Sequence, residues 1–208
     1  RVRDGGTFSV RRVIARQDER EILTAMVSFQ VEEDGFEHQF DAPSAPDPEE
    51  LTSEQALREK VRDLIPEERR EQMMKERAID IRPVAPTDPL RPEPGEPARQ
   101  SWFRARGPLP DDPVLHRAIL AYASDFGLLA TSMRPHGAGF GTPGMQVASL
   151  DHAIWFHRPL RLDDWLLYDM DSPSASSGRG MNRGTLFSRK GELVASVAQE
   201  ALIRQRKG

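Results

Sequence analysis

Apolar positions set out the chain's elements before any other feature does. Thr7, Phe8, Val10, Val13 and Ile14 fall in one β-rich run, and Ile22, Leu23, Met26, Val27 and Phe29 in another. The polar stretch Gln17–Arg20 separates them, so residues 1–31 predict a β-hairpin. Residues 32–50 are acidic and proline-bearing and read as a surface connection. Thr52 and Gln55 have capping-box spacing, which predicts a helix starting at Leu51–Gln55 and running through ALREKVRDLI. Pro66 either ends it or opens a second helical piece, EERREQMMKER, whose charges form a solvated face. Ala78–Val84 predicts a short strand. Six prolines within residues 83–97 rule out a helix or a central strand there, so that stretch reads as an extended linker. Arg99–Arg106 alternates polar and apolar, as a half-buried strand does.

The next stretch, DDPVLHRAILAYASDFGLL, predicts the organising helix, from Asp112 to about Leu129. Asp112 is a good N-cap and Pro113 suits the first helical position, where no amide donor is needed. Val114, Leu115, Ala118, Ile119, Tyr122, Phe126 and Leu129 recur at spacings of three and four. The run is nearly all apolar after its first turn, which predicts a helix buried on most sides. Asp125 interrupts that run, and a buried carboxylate is costly unless it is hydrogen-bonded. After the helix RPHGAGFGTPG is irregular. Strands follow at Gln146–Arg158, Trp165–Ser172, Ala175–Ser188 and Glu192–Arg204, the last two joined by a Lys190-Gly191 turn. One helix followed by antiparallel strands is an α+β pattern.

A weak internal repeat alters the organisation. GTFSVRRVIARQDEREILTAMVSFQ resembles SSGRGMNRGTLFSRKGELVASVAQE, with Glu21-Ile22-Leu23 set against Glu192-Leu193-Val194. Each copy is a strand, a polar turn and a strand ending in small residues. The counterpart of Asp125 would then lie upstream of Arg1, so the chain would hold one whole helix-plus-sheet unit and the tail of another.

Composition removes several classes of function. The chain has 208 residues, enough for one large or two small domains, and a net charge of −4 that points to neither nucleic acid nor an anionic membrane. It has no cysteine, which excludes disulfides, a cysteine nucleophile and thiolate metal sites. No apolar run approaches the ~20 residues of a membrane span.

Among candidate residues, Asp125 reads either as a carboxylate bonded to a neighbouring loop or as a general base in a dry site. Ser149 and His152 lie in QVASLDHAIWFHR, where strand alternation puts them on opposite faces. His152 and His157 also point apart, so they do not make a metal site, and His152 reads as a hydrogen-bonded structural residue. Gln199 ends the small apolar run VASVAQEAL as a surface or a partnered buried amide. GAGFGTPG follows a helix and precedes none, so it is not a dinucleotide loop, and no G-x-S-x-G elbow is present. Arg158, Arg179 and Arg183 are surface arginines that could meet phosphates.

The stretches YASDFGLLATSMRPHG, VASLDHAIWFHRP, DDWLLY, SASSGRG and VASVAQE resemble the type II acyl-CoA thioesterases. RDGGTFSVRRVIARQ, SFQ and GFEHQ resemble the end of that family's first repeat. Nearly the whole chain is covered, with residues 50–77 least distinctive. The resemblance implies a double hotdog, each half a long helix wrapped by an antiparallel sheet, the first half N-terminally incomplete here. On that reading residues 1–40 are the last strands of the first hotdog, 41–97 a helical and proline-rich connection, and 98–208 the second hotdog. It implies hydrolysis of fatty acyl-CoA to free acid and coenzyme A, a homo-oligomer, and no metal or redox cofactor. The family's catalytic aspartate, threonine and glutamine carry over to Asp125, Ser149 and Gln199. The chain departs at Ser149, which keeps the hydroxyl and loses the β-branch that restricts its rotamer. A non-hydrolysing acyl-CoA-binding or dehydratase-like hotdog, and a scaffold with a degenerate site, are the competing readings. The chain ends Arg206-Lys207-Gly208 rather than in a Ser-Lys-Leu signal, and the default expectation is a cytoplasmic enzyme.

Overall fold

The computed structural model describes residues 1–206, apart from the side chain of Arg69. Lys207 and Gly208, the last two residues of the Arg206-Lys207-Gly208 terminus, lie outside the described residues. Two compact units are present, Arg1–His38 and the remainder from Gln39.

The first unit is the expected hairpin with a short added strand. β1 (Arg3–Asp4), β2 (Phe8–Gln17) and β3 (Arg20–Gln30) form an antiparallel sheet in that order. Asp18 takes φ 54° in the turn, a left-handed conformation that Asp tolerates better than most residues. The register shifts after the Ala15–Leu23 pair, where Arg16 meets Glu21.

The second unit opens with two short helices. α1 (Glu54–Lys60) is capped by Ser53, whose hydroxyl accepts from the Ala56 amide at 3.2 Å, so the cap falls one residue after the expected Thr52. α2 (Glu67–Met74) begins directly after Pro66, which therefore starts a second helical piece. β4 (Ile79–Pro83) is the short strand expected over Ala78–Val84. It pairs with β5 (Ala98–Ala105), while the proline-rich residues between them contain no regular element.

The organising helix departs from expectation. It is two helices, α3 (Pro113–Ala123) and α4 (Leu128–Met133), with a break at Ser124–Gly127. Asp112 caps α3 through Val114 N at 2.9 Å, as its position predicted. Gly127 ends the break at φ 82°, where a side chain would be strained. The Ser124 hydroxyl bonds back to the Ala121 carbonyl at 2.9 Å, and the Tyr168 hydroxyl takes the Ser124 carbonyl at 2.7 Å. Asp125 therefore sits in a turn between helices, and it is exposed rather than buried. α3 is also buried along one stripe only, His116, Leu120 and Ala123; Val114 and Tyr122 are exposed.

β6 (Met145–Ser149), β7 (Ala153–Phe156), β8 (Leu166–Ser176), β9 (Arg179–Ser188) and β10 (Leu193–Gln205) complete an antiparallel sheet ordered β4-β5-β8-β9-β10-β6, with β7 also on β10. The long strand expected over Gln146–Arg158 is thus interrupted. The turn between β8 and β9 falls at Ser177-Gly178, and β8 runs on past Ser172 because a register irregularity between Asp171 and Ser174 accommodates Pro173. Leu120, Ala123 and Leu128 pack on Phe103, Leu166, Tyr168, Leu186 and Val197, the inward face of the sheet. A second cluster, Trp102, Trp165, Leu167 and Phe187, covers the opposite face.

The two hairpins share a defect. In β9–β10 Leu186 pairs with Ala195 and Phe187 with Leu193, skipping Val194, as β2–β3 skips Ile22. The shared bulge sets the repeat at 171 residues on the first strand (186 − 15) and 172 on the second (195 − 23). The second hairpin's turn is thus one residue longer, and Glu21 matches Leu193 rather than Glu192.

Candidate active site

Three elements converge on the break after α3. Asp125 projects from the turn, Ser149 ends β6, and Gln199 lies in the middle of β10. The Ser149 hydroxyl donates to Asp125 Oδ1 at 3.0 Å, and the Gln199 carboxamide nitrogen donates to the same oxygen at 2.5 Å. Residues 24 and 74 positions apart in sequence thus meet at one carboxylate oxygen. Asp125 and Ser149 are exposed, whereas Gln199 is 1% exposed.

The interruption between β6 and β7 makes this meeting possible. Ser149 pairs with Ala201 and Ala153 with Ala198, so three residues, Leu150, Asp151 and His152, face only Gln199 and Glu200. The one extra residue is a bulge, and it shifts the alternation of faces by one. The Asp151 carboxylate replaces a ladder bond by accepting from the Glu200 amide at 2.7 Å, while Leu150 N donates to the Glu200 carbonyl at 2.9 Å. Ser149 and His152, three apart, then reach the same side rather than the opposite faces that regular alternation gives. His152 Nε2 lies 2.8 Å from the Ser124 hydroxyl, and His152 Nδ1 lies 3.2 Å from the Gln199 carboxamide nitrogen. His152, read from sequence as structural, belongs to this cluster. The Asp-His pair after the hydroxyl residue was the available signal, but the bulge that brings the ring inward has no marker in local composition.

Beneath the turn, Tyr168 is fully buried and holds the Ser124 carbonyl. Burial pushes its phenol well above its ordinary 10, with the charge of Asp125 acting in the same direction, so it remains a donor. Tyr168→Phe removes that donor and should cost about 1 kcal/mol, measured as a lower urea midpoint at unchanged slope.

The remaining candidates are occupied elsewhere. Arg183 forms a two-point pair with Asp171, Arg179 meets Glu200, and Arg158 donates to the Leu193 carbonyl at 2.9 Å. His157 contacts Ser196 at 2.8 Å, away from His152. Among the described residues no cluster of three or more His, Asp or Glu side chains could hold a metal, and no helix is long and apolar enough to cross a membrane.

A family model for acyl-CoA thioesterases matches residues 70–202, a span that contains every residue of this cluster. The chain is 39% identical over 98% of its length to acyl-CoA thioesterase 2 of Haemophilus influenzae, covering 71% of that protein. This chain belongs to the acyl-CoA thioesterase family. It is also 37% identical to acyl-coenzyme A thioesterase 8 of Mus musculus, again over 98% of its own length, and spans 66% of that relative. Among solved structures it resembles the acyl-CoA thioesterase II TesB2 from Mycobacterium marinum, at 44% identity and a TM-score of 0.79, covering all of this chain and 73% of that one. A protein with a hotdog fold from Alicyclobacillus acidocaldarius, 16% identical, superposes with a TM-score of 0.74 over 99% of this chain and 71% of that one. The α+β fold is accordingly that of the hotdog thioesterases, α3 and α4 packed on a curled antiparallel sheet. The type II thioesterase resemblance in the sequence is borne out by the family match.

Proposed function

We propose that this thioesterase-family chain hydrolyses fatty acyl-CoA to free fatty acid and coenzyme A, using a water held by Asp125, Ser149 and Gln199. The single observation that carries the assignment of the site is the convergence of two donors on Asp125 Oδ1. That convergence fixes the carboxylate's rotation and leaves Oδ2 without a protein partner among the described residues.

The chemistry needs a water, a base and a leaving thiol. Asp125 Oδ2 accepts a proton as the water oxygen bonds to the thioester carbonyl carbon. The tetrahedral intermediate then collapses, the C–S bond breaks, and the coenzyme A sulfur leaves with the proton returned to it. General-base catalysis of this kind contributes roughly 10²–10⁴-fold, and fixed geometry adds to it. Gln199 supports the reading through its carboxamide nitrogen, which holds in place the carboxylate that takes the proton.

Fatty acyl-CoA is therefore the proposed partner, and residues 1–40, which include the hairpin, are proposed to be the last strands of the first of two hotdogs. The repeated bulge and the extent of the match to longer relatives support that organisation. The test is thiol release from saturated acyl-CoA esters of increasing chain length, with the free acid identified as co-product. Release with some chain length is expected; none with any of them would sink the proposal. Within that assay Ser149→Thr should keep or raise the rate, because the hydroxyl stays and its rotamer narrows. Ser149→Ala should lower kcat about tenfold, the effect of one lost orienting hydrogen bond of about 1.4 kcal/mol.

A further inference from the structure

We infer that His152 is a positioning residue for Gln199: its ring links the Gln199 carboxamide to Ser124 at the helix break and fixes which way that amide faces. The inference deepens the proposed hydrolysis, on whose site it rests, and concerns a ring that touches both the strand and the turn of that site. His152 meets Gln199 at 3.2 Å through Nδ1 and Ser124 at 2.8 Å through Nε2.

The donors and acceptors admit one arrangement. Asp125 Oδ1 is a carboxylate oxygen and can only accept, so the Gln199 group 2.5 Å from it is the NH₂ and not the oxygen. The same nitrogen faces His152 Nδ1, which must then be the ring's unprotonated nitrogen. The ring proton of a neutral imidazole falls on Nε2, which donates to the Ser124 hydroxyl. Ser124 passes its own hydrogen to the Ala121 carbonyl at 2.9 Å. Every bond in the run from Asp125 to Ala121 therefore has one donor and one acceptor. Both amide hydrogens of Gln199 are used, and its oxygen is left directed away from them, buried and unpartnered.

Removing the Nδ1 acceptor would leave one amide hydrogen buried without a partner and Asp125 alone to orient the group. A proton on Nδ1 would set His152 against Asp125: the ring would demand the amide oxygen where the carboxylate demands the nitrogen. Partial burial lowers the ring's pKa from its ordinary value, with Asp125 and Asp151 the charged groups that act against that shift. The ring is thus neutral at pH 7, as the arrangement requires.

Two substitutions separate the two ring nitrogens. Asparagine places its Oδ1 near the position of Nδ1, so His152→Asn keeps an acceptor for Gln199 and loses the link to Ser124. Glutamine reaches the position of Nε2, so His152→Gln keeps the Ser124 link and loses that acceptor. Thiol release from an acyl-CoA should show kcat lower by on the order of tenfold in His152→Gln and within about threefold of the wild type in His152→Asn, with KM little changed in both. Equal loss in the two variants, or loss confined to KM, would overturn the role. Nitrogen-15 spectra of the imidazole give a readout that needs no turnover. At pH 7.5 His152 should show an unprotonated Nδ1 and a protonated Nε2, and the opposite tautomer would refute the inference. If Asp125→Asn abolishes thiol release while both His152 variants keep full kcat, the positioning role falls and the hydrolytic reading stands. If no acyl-CoA is cleaved by the wild type, the hydrolytic reading falls and the tautomer alone decides.

Discussion

Replacing Asp125 by Asn should lower kcat for acyl-CoA hydrolysis by about 10²–10⁴-fold while leaving the fold intact. The two side chains have nearly the same shape. An asparagine Oδ1 can still accept from the Ser149 hydroxyl and the Gln199 amide, the two bonds that hold the carboxylate now. What it lacks is an oxygen that takes a proton from water. The loss should therefore fall on kcat, with KM close to the wild-type value, since no uniform binding contact is removed. Stability should change by less than about 1 kcal/mol, because residue 125 is exposed in the turn between α3 and α4. Thiol release measured beside urea unfolding separates the two effects. A variant that turns over like the wild type would remove Asp125 from the mechanism and with it the reason for the site.

The second large effect is structural. Gly184→Ala should destabilise the second unit by about 3 kcal/mol, at the upper end of the usual cost of overpacking. Gly184 lies in β9 opposite Met170 of β8 and Val197 of β10. A Cβ built there would stand 2.3 Å from a ring carbon of Tyr168 and 3.0 Å from its hydroxyl oxygen. The ring cannot swing aside cheaply. It is fully buried, sits edge-on to Phe103 at 5.3 Å, and is tied by its hydroxyl to the Ser124 carbonyl. Strain at residue 184 is thus carried to the turn that presents Asp125. Thermal unfolding should show a lower Tm, and kcat at a temperature where the variant is folded should fall as well. An unchanged Tm would show that the sheet opens to take the methyl group without loss.

Much of this architecture is written in local sequence. The hairpin at residues 8–30, the N-cap at Asp112 and the helix start after Pro66 each depend on a few adjacent residues, and all three form where their chemistry predicts. The α+β class follows from the order of helix and strands. The family is also legible, because YASD, SLDHAIWFHRP and VASVAQE are specific strings, and the comparison with known thioesterases agrees with them.

The site was legible in its members but not in its geometry. Asp125, Ser149 and Gln199 stand out as candidates in the sequence and take their catalytic roles from the resemblance, but nothing in their own neighbourhoods says that two of them share one oxygen of the third. Apolar periodicity runs straight through residues 112–129 and predicts one helix. The break depends on Tyr168, 44 residues away, capturing the Ser124 carbonyl, together with the left-handed Gly127. Alternation in QVASLDHAIWFHR likewise predicts one strand with Ser149 and His152 on opposite faces. The bulge that reverses this is fixed by Asp151 bonding to the backbone of Glu200 on a strand 49 residues further on. Sequence by itself determined the elements, their class and the identity of the groups that could do chemistry, because propensity, capping and patterning act over a few residues. The tertiary structure alone decided where the helix and the strand break, because those breaks are made by hydrogen bonds between segments far apart in the chain. The active-site candidates meet at those two breaks.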